Sequence, residues 1–382
     1  MNPFASMQDA LARTRLPRER ARQLPGALYS SPEVAALEKE RIFMTGWLLA
    51  ARVEEIAQPG DFKCLEIAGE SFIIARDEAG TLHAYMNMCL HRGVPIAEGA
   101  GNARDFSCPY HAWLYDLSGT LTASPYMGRC EIDMKGAQLT RLQIALWRGW
   151  IFVSFDPAVE PFAQFIAPYE HELWWFRTDE CRFYKREVLG VDCNWKLLVE
   201  NLIDIYHVPV LHAGSFGGFL KSDRNALEFK LLPKGGWTYE QKSRPHSTGG
   251  RQMFPTLPWL EGMPPETSMK AGLYPNLNLS LRYDSLRMWQ ILPISPGRTE
   301  LHMYSLFAHS AFDDPDFARK YDEYQRFILG AIANEDGPMV VKLQKAMASP
   351  FYVPGPMAHL EGAVHHLINH YLDVVSPTAG AR

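Results

Sequence analysis

The sequence predicts an α+β protein in which an all-β module is joined to an antiparallel sheet accompanied by long helices. Three observations lead there. Between Trp47 and Phe155 the apolar residues fall into short alternating runs separated by turn residues, the pattern of small, half-buried strands. Three longer runs at 277–283, 287–294 and 299–308, broken at Asp284-Ser285 and Ser295-Pro296-Gly297-Arg298, read as an antiparallel meander. A helical period then runs from Asp314-Pro315-Asp316 to about Met347, with Asp313 or Asp314 as cap, and another occupies 358–374.

Taken in order, residues 1–45 look helical. Ser31 is placed to cap a helix whose first residue is Pro32 and whose apolar face is Val34, Leu37 and Ile42. The all-β module follows, with strands expected at 62–67, 71–75, 82–86 and 149–155 and turns at Pro59-Gly60-Asp61, Gly69-Glu70 and Leu117-Ser118-Gly119. Pro157 and Pro161 mark a linker. Beyond it a helix is expected over 194–207 and strands over 227–232 and 236–241. Residues 244–273, with five prolines and four glycines, read as a long loop. No internal repeat or low-complexity segment is present.

The chain has 382 residues, 47% of them apolar, which is enough for a sizeable core and excludes a disordered protein. The formal charge of −5 argues against nucleic acid as a partner. The one basic cluster, Arg13, Arg15, Arg18, Arg20 and Arg22, reads as a solvated helix face. Its arginines also resemble a transit peptide, but Asp9 and Glu19 speak against one. No apolar run is long enough to span a membrane. Two of the six cysteines belong to the motif below, and the other four read as reduced, partly buried thiols, so a cytoplasmic protein is expected.

Cys89-Leu90-His91 and Cys108-Pro109-Tyr110-His111 stand sixteen residues apart, each in a loop of the β module. A zinc finger usually pairs Cys with Cys and His with His. Here each loop carries one of each, which suits a [2Fe–2S] cluster with two thiolates on one iron and two imidazoles on the other. A second set of ligands follows at Glu200, Asp204, His207 and His212. The first three are spaced to share one helix face, and Pro209 allows the chain to turn and bring His212 back beside His207. Buried without a partner Asp204 would be costly, so an imidazole N–H is the expected donor to it. Two imidazoles need a carboxylate to complete a facial triad for non-haem Fe(II), and Glu335 and Asp336 both offer one.

These motifs resemble the catalytic α subunit of Rieske non-haem iron oxygenases over nearly the whole chain. The match includes Arg92-Gly93 and Ala112-Trp113 beside the first motif, the Asn194-Trp195-Lys196 entry, the run from Glu200 to His212, and Gln344 after the acidic pair. Val94 and Tyr110 stand where respiratory Rieske proteins carry two further cysteines, which points to the oxygenase or ferredoxin type. The resemblance implies a Rieske domain over 46–157 and a helix-grip catalytic domain formed by 1–45 and 158–382. Cys89, His91, Cys108 and His111 would bind the [2Fe–2S] cluster, and His207, His212 and Asp336 the mononuclear Fe(II), with Glu335 the alternative to Asp336. It implies a homotrimer in which Asp204 bridges the iron site to the cluster ligand His111 of a neighbouring subunit. Electrons would come from NAD(P)H through a separate reductase, with or without a ferredoxin, since this chain has no dinucleotide-binding fingerprint.

The expected reaction is O2-dependent hydroxylation or demethylation of a small aromatic organic substrate. The alternatives are monooxygenation of a quaternary or methylated amine and, in another class, a Rieske electron carrier with no oxygenase activity. The length beyond the β module, with its second ligand set, speaks against the carrier. Pocket walls are expected from Tyr206, Phe216, Phe219, Leu220, Tyr283 and Trp289. Arg282 and Arg287 could pair a carboxylate, at least one of them being expected to face solvent.

Overall fold

The computed structural model describes residue 4 and residues 7–134, 136–215 and 228–377. The chain divides into two compact units, Phe43–Phe165 and a second formed by Met1–Ile42 with Ile166–Arg382.

Helix α1 (Gln8–Thr14) opens the chain and α2 (Pro32–Glu38) follows. Ser31 Oγ accepts from Val34 N at 3.2 Å, the N-cap bond its position predicts.

The Phe43–Phe165 unit is built from ten short strands. Strands β1 (Leu48–Arg52), β2 (Asp61–Ile67), β3 (Glu70–Arg76) and β4 (Leu82–Met86) precede the first Cys/His loop. Strands β5 (Ala100–Asn102) and β6 (Asp105–Ser107) come between the loops, and β7 (Leu114–Asp116) and β8 (Leu121–Ala123) after the second. Strands β9 (Gln143–Trp147) and β10 (Trp150–Ser154) close the unit. They form sheets of order β1-β10-β9, β4-β3-β2-β5 and β6-β7-β8. Ile73, Tyr85, Phe106, Trp113 and Tyr115 pack with Cys89 and Cys108 into one buried cluster, so both metal-binding loops are rooted in the module's core.

Helix α3 (Phe162–Glu170) contains the boundary at Phe165 and Ile166, and the other unit holds a seven-stranded antiparallel sheet among the described residues. Its strands are β11 (Cys181–Val191), β12 (Lys230–Leu231), β13 (Trp237–Lys242), β14 (Thr267–Leu273), β15 (Leu277–Arg282), β16 (Ser285–Ser295) and β17 (Arg298–Ala308). The order is β11-β17-β16-β15-β14-β13-β12, so the meander expected at the end of the sheet is present. Two strands escape the sequence reading. The eleven-residue β11 gave no clean alternation because much of it is exposed or half-buried. Strand β14 lies in the stretch read as loop. The prolines and glycines of 244–273 cluster before Thr267, and the strand proper is Thr-Ser-Met-Lys-Ala-Gly-Leu, paired on both sides.

Helix α4 (Trp195–Ile203) packs on β16 and β17. It ends earlier than expected: Asp204 is extended, at φ −63° and ψ 119°. Asp204 and His207 therefore meet across a loop and not along a helix face. Pro209 does not stop a helix but sits in the first turn of the short α5 (Val208–Leu211), where its missing N–H costs nothing. The C-terminal helical region is α6 (Phe317–Ala331), a π turn at Ile332–Asp336, and α7 (Gly337–Met347). The residue at the α6 N-cap position is Asp316, not Asp313 or Asp314; Asp314 turns its carboxylate to Asp316 N and Lys320 instead. Helix α8 (Gly362–Val375) completes the unit.

Candidate metal centres

The first centre rests on two loops of the same backbone form. Cys89 N donates to Val94 O (2.9 Å) and Gly93 N to Cys89 O (2.8 Å). In the second loop Cys108 N donates to Trp113 O (2.8 Å) and Ala112 N to Cys108 O (3.0 Å). Each loop needs a left-handed residue four positions after its cysteine. Gly93 supplies it at φ 74° and Ala112 at φ 55°. Both cysteines are buried, and Tyr115 hydroxyl lies 3.3 Å from Cys89 Sγ while accepting from Leu90 N. His91 Nδ1 and His111 Nδ1 face each other at 3.0 Å, with His111 exposed and His91 stacked on Trp113. Two imidazole nitrogens so close need a proton or a metal ion between them. Two buried thiols beneath two outward imidazoles match the donor set of a Rieske cluster.

The second centre is assembled from α5 with its flanks and from the π turn. His207 Nε2 and His212 Nε2 are 3.3 Å apart. Asp336 Oδ1 stands 3.4 Å from the first and 3.0 Å from the second. Neighbouring ligands about 2.1 Å from a metal are separated by roughly 3 Å, so one ion could touch all three atoms. These three residues form the one group of this kind found among the described residues.

Each donor is fixed from behind. His207 Nδ1 donates to Asp204 Oδ2 at 3.0 Å, and Asp204 Oδ1 accepts from Tyr206 N. His212 Nδ1 lies 2.5 Å from Glu335 Oε2, which also accepts from Ser215 Oγ. Asn201 Nδ2 donates to Asp336 Oδ1. The adjacent acids therefore do different things: Asp336 faces the inner nitrogens of both rings and Glu335 the outer nitrogen of one. Burial alone would raise the Asp336 carboxyl, but its bonds to His207 and His212 hold it down at about 2.

Among the described residues, the histidines, Asp204 and Asp336 line one cleft. Leu202, Trp289, Ile328 and Ile332 give it apolar wall, and His246, Lys270, Ser280 and Arg282 give it polar wall. Of the expected aromatic wall only Trp289 lies here. Tyr206 is 59% exposed, Tyr283 does not line the cleft, and Phe216, Phe219 and Leu220 lie outside the described residues. Neither Arg282 nor Arg287 faces solvent; they are 3% and 1% exposed. Residues 178–377 match the family described as ring hydroxylating alpha subunit (catalytic domain), and residues 46–144 match the Rieske [2Fe-2S] domain.

The chain belongs to the Rieske oxygenase α-subunit family. Its cofactors are those of the two domains, a Rieske [2Fe–2S] cluster and a mononuclear iron. The oxygenase is 27% identical to the oxygenase subunit of glycine betaine monooxygenase from Chromohalobacter salexigens, over 98% of this chain and 90% of that one. It is 32% identical to chloroplastic choline monooxygenase of Beta vulgaris, over 92% and 76%. It is 31% identical to the large oxygenase component of salicylate 5-hydroxylase from Ralstonia sp, over 78% and 77%. Among solved structures, the quaternary ammonium Rieske monooxygenase CntA with L-carnitine matches with TM-score 0.75 at 20% identity, covering 94% of this chain and 97% of that one. Naphthalene 1,2-dioxygenase from Rhodococcus sp. with indole matches at 0.74 and 20%, covering 93% and 95%. Among the described residues no helix is long and apolar enough to cross a membrane.

Of the partners behind the proposed ligands, the sequence pointed to Asp204, and Asn201 lay unremarked inside the same motif. Glu335 was visible only as a rival to Asp336. Nothing in the spacing tied it to His212, because the link depends on the π turn. Tyr115, His246 and Lys270 carried no motif at all.

Proposed function

We propose that His207, His212 and Asp336 hold Fe(II) and that Cys89, His91, Cys108 and His111 hold the Rieske cluster of a monooxygenating enzyme for a small polar substrate. When bound, the iron supplies O2 activation and the cluster supplies electrons. The observation that carries this reading is the convergence of three donor atoms at the edge of a cleft, which leaves the remaining side of an ion open to ligands.

The protein's own groups have defined tasks. Asp204 and Glu335 fix the tautomer and tilt of His207 and His212 by accepting from their outer nitrogens. Asn201 orients Asp336. The apolar wall around Trp289 and Ile328 limits water near the reacting carbon. Exposed His111 and half-buried Asp204 support a homotrimer in which electrons cross between subunits, from His111 of one to Asp204 and His207 of the next. Inter-subunit electron transfer is named for a solved quaternary ammonium Rieske monooxygenase. A separate NAD(P)H-linked reductase, with or without a ferredoxin, supplies the electrons, and the four cysteines outside the cluster loops, none of them in a disulfide, fit a reducing, cytoplasmic setting.

The relatives are named for glycine betaine, choline and salicylate, which supports hydroxylation or demethylation of a methylated amine or an aromatic acid. A cleft carrying Lys270 and Arg282 is poorly matched to a plain aromatic hydrocarbon. The test is NADH-coupled oxygen uptake by the holoenzyme with its reductase, across aromatic acids and methylated amines, with product analysis. Uptake that yields a hydroxylated or demethylated product is expected. The reading fails if His207→Ala, which should keep the red-brown cluster spectrum and lose one iron per chain, retains full iron content.

A further inference from the structure

The sheet side of the cleft carries two basic side chains, Lys270 and Arg282, and among the described residues no carboxylate is in ion-pair contact with either; Asp204 and Asp336, on the same cleft, face the histidines. The pairing register puts them together. Lys270 on β14 lies opposite Ser280 on β15, and Arg282 is two residues further along the same face. Ser280 also lies opposite Arg287 on β16, so one patch of the sheet carries three basic side chains.

Arg287 does not line the cleft, although its Nε and Nη1 are also buried without a hydrogen-bond partner. Its Nη2 donates to Gln325 Oε1 (2.7 Å) and Ser305 Oγ (3.2 Å), and its guanidinium lies over the Tyr324 ring. Lys270 and Arg282 differ. Arg282 donates through Nη1 to Ser268 Oγ and to Leu281 O, while its Nε is buried with no hydrogen-bond partner. Ser280 Oγ is likewise buried and unpartnered. Among the described residues no carboxylate forms an ion pair with Lys270 or Arg282. The nearby acids are occupied: Asp284 accepts from Met253 N, Phe254 N and Ser285 Oγ, and Asp204 and Asp336 face the histidines. Burial first, and then the charge of Arg282, pull the Lys270 ammonium down to about 7 against the opposite pull of Asp336 and Asp204. A buried charge without a partner is costly. Two of them on the wall of the cleft that holds the triad indicate that the counter-charge arrives with the ligand.

We infer that Lys270, Arg282 and Ser280 form a carboxylate-binding subsite, so that the substrate is a small acid whose apolar or methylated end points to the iron site. The guanidinium offers Nε and a second N–H in the fork that suits a carboxylate, Lys270 adds a point charge and Ser280 a hydroxyl donor. Trp289 and Ile328 line the remaining space for the body of the molecule. This assignment rests on the oxygenase reading above and narrows it to anionic or zwitterionic substrates.

The test is equilibrium binding by calorimetry to the oxidised holoenzyme, using paired probes: benzoate against benzamide, and a trimethylammonium carboxylate against its amide. In at least one pair the acid should bind about tenfold or more tightly than the amide, the scale of one charge-assisted hydrogen bond. If the aromatic pair shows the preference, the substrate is an aromatic acid; if the trimethylammonium pair does, it is a betaine. Arg282→Gln and Lys270→Met should each remove the preference while leaving amide binding within about twofold, and Arg282→Lys should keep part of it. The subsite is overturned if neither acid binds more tightly than its amide, or if both charge-removing variants keep the preference. Metal analysis on the same samples separates the two readings: correct iron content with no acid preference overturns the subsite alone, and missing mononuclear iron overturns the oxygenase reading.

Discussion

Neighbouring residues in the second centre have chemically distinct positions, and the difference is measurable. Glu335 touches the outer nitrogen of His212 and Asp336 faces the inner nitrogens of both histidines. Glu335→Gln should therefore keep the site and weaken iron binding about 10- to 100-fold, the usual cost of losing a group that orients a ligand. Asp336→Ala should leave less than one mononuclear iron per chain even with excess Fe(II). Anaerobic titration followed by metal analysis checks this, and the reverse ranking would exchange their roles. Asp204 supports His207 in the same way, but its half-exposed carboxylate also stands between that ring and solvent. Asp204→Asn should retain both metals and lower NADH-driven turnover by about 100-fold, and full turnover with the physiological reductase would remove Asp204 from the electron path. The proposed Cys and His ligands stand out in the sequence by their spacing, and Asp336 only through the resemblance, which left Glu335 as its alternative. Asp204 and Asn201 lie in the same motif, whereas Tyr115 and Ser215 are ordinary residues until the fold brings them to a ligand.

Helix α4 shows what the Asn194-Trp195-Lys196 entry is for. Asn194 Oδ1 caps the helix at Lys196 N, and its side-chain amide donates to Pro296 O. Gln344 on α7 accepts from Asn194 N and donates to Tyr29 O. Lys196 Nζ, Trp195 Nε1 and Tyr371 hydroxyl all converge on the buried Glu38 at the end of α2. Losing one partner of a buried pair typically costs about 3–5 kcal/mol. Glu38→Ala should be the worse of the two single changes in urea unfolding, because it strands Lys196, whereas Lys196→Met leaves Glu38 with two donors. One turn on, burial pushes the Glu200 carboxyl up from 4.5 to about 8, and the Tyr29 hydroxyl and Lys196 offset this only in part. The folded state thus holds a proton that the unfolded chain has released. The resulting stability is complete below about pH 4.5 and is lost as pH rises to about 8, with a limiting slope near 1.4 kcal/mol per pH unit. Glu200→Gln should flatten that decline in denaturant midpoints at pH 5, 6.5 and 8, and an unchanged slope would assign it to another group. The start of α2 was readable from Ser31-Pro32, and so was the meander from its turns. The end of α4 at Ile203 and the π turn before Asp336 were not. Both set ligand direction through tertiary contacts; no breaker residue stands at the end of α4, and Gly337-Pro338 after the π turn mark an interruption without giving its form.

At the scale of the molecule, the Rieske domain was legible from a local motif, and the catalytic domain from the run Glu200 to His212 together with the remote acidic pair Glu335-Asp336. Strand β14 and the charged wall it builds were not, since Lys270 becomes informative only when the register sets it beside Ser280 and Arg282. Assembly is the remaining step. If electrons pass from the cluster of one subunit to the iron of the next around a closed ring, the two halves of the reaction can be placed on different chains. Cys108→Ser removes a proposed cluster ligand and keeps the triad; His207→Ala removes a triad member and keeps the cluster. Each homotrimer should be inactive, because every transfer path lacks one end. Co-expressed under two affinity tags and purified through both, the mixed assembly contains subunits whose intact cluster faces an intact iron site. With the unmixed trimers removed by the two tags, every mixed cyclic trimer has one complete transfer junction in three, so NADH-driven turnover should recover to about a third of wild type. Transfer confined within one chain predicts none. Size-exclusion chromatography and iron counts on each variant, run before mixing, show whether assembly and the untouched centre survive. Mixed trimers that carry both centres and stay inactive would confine the electron path to a single subunit.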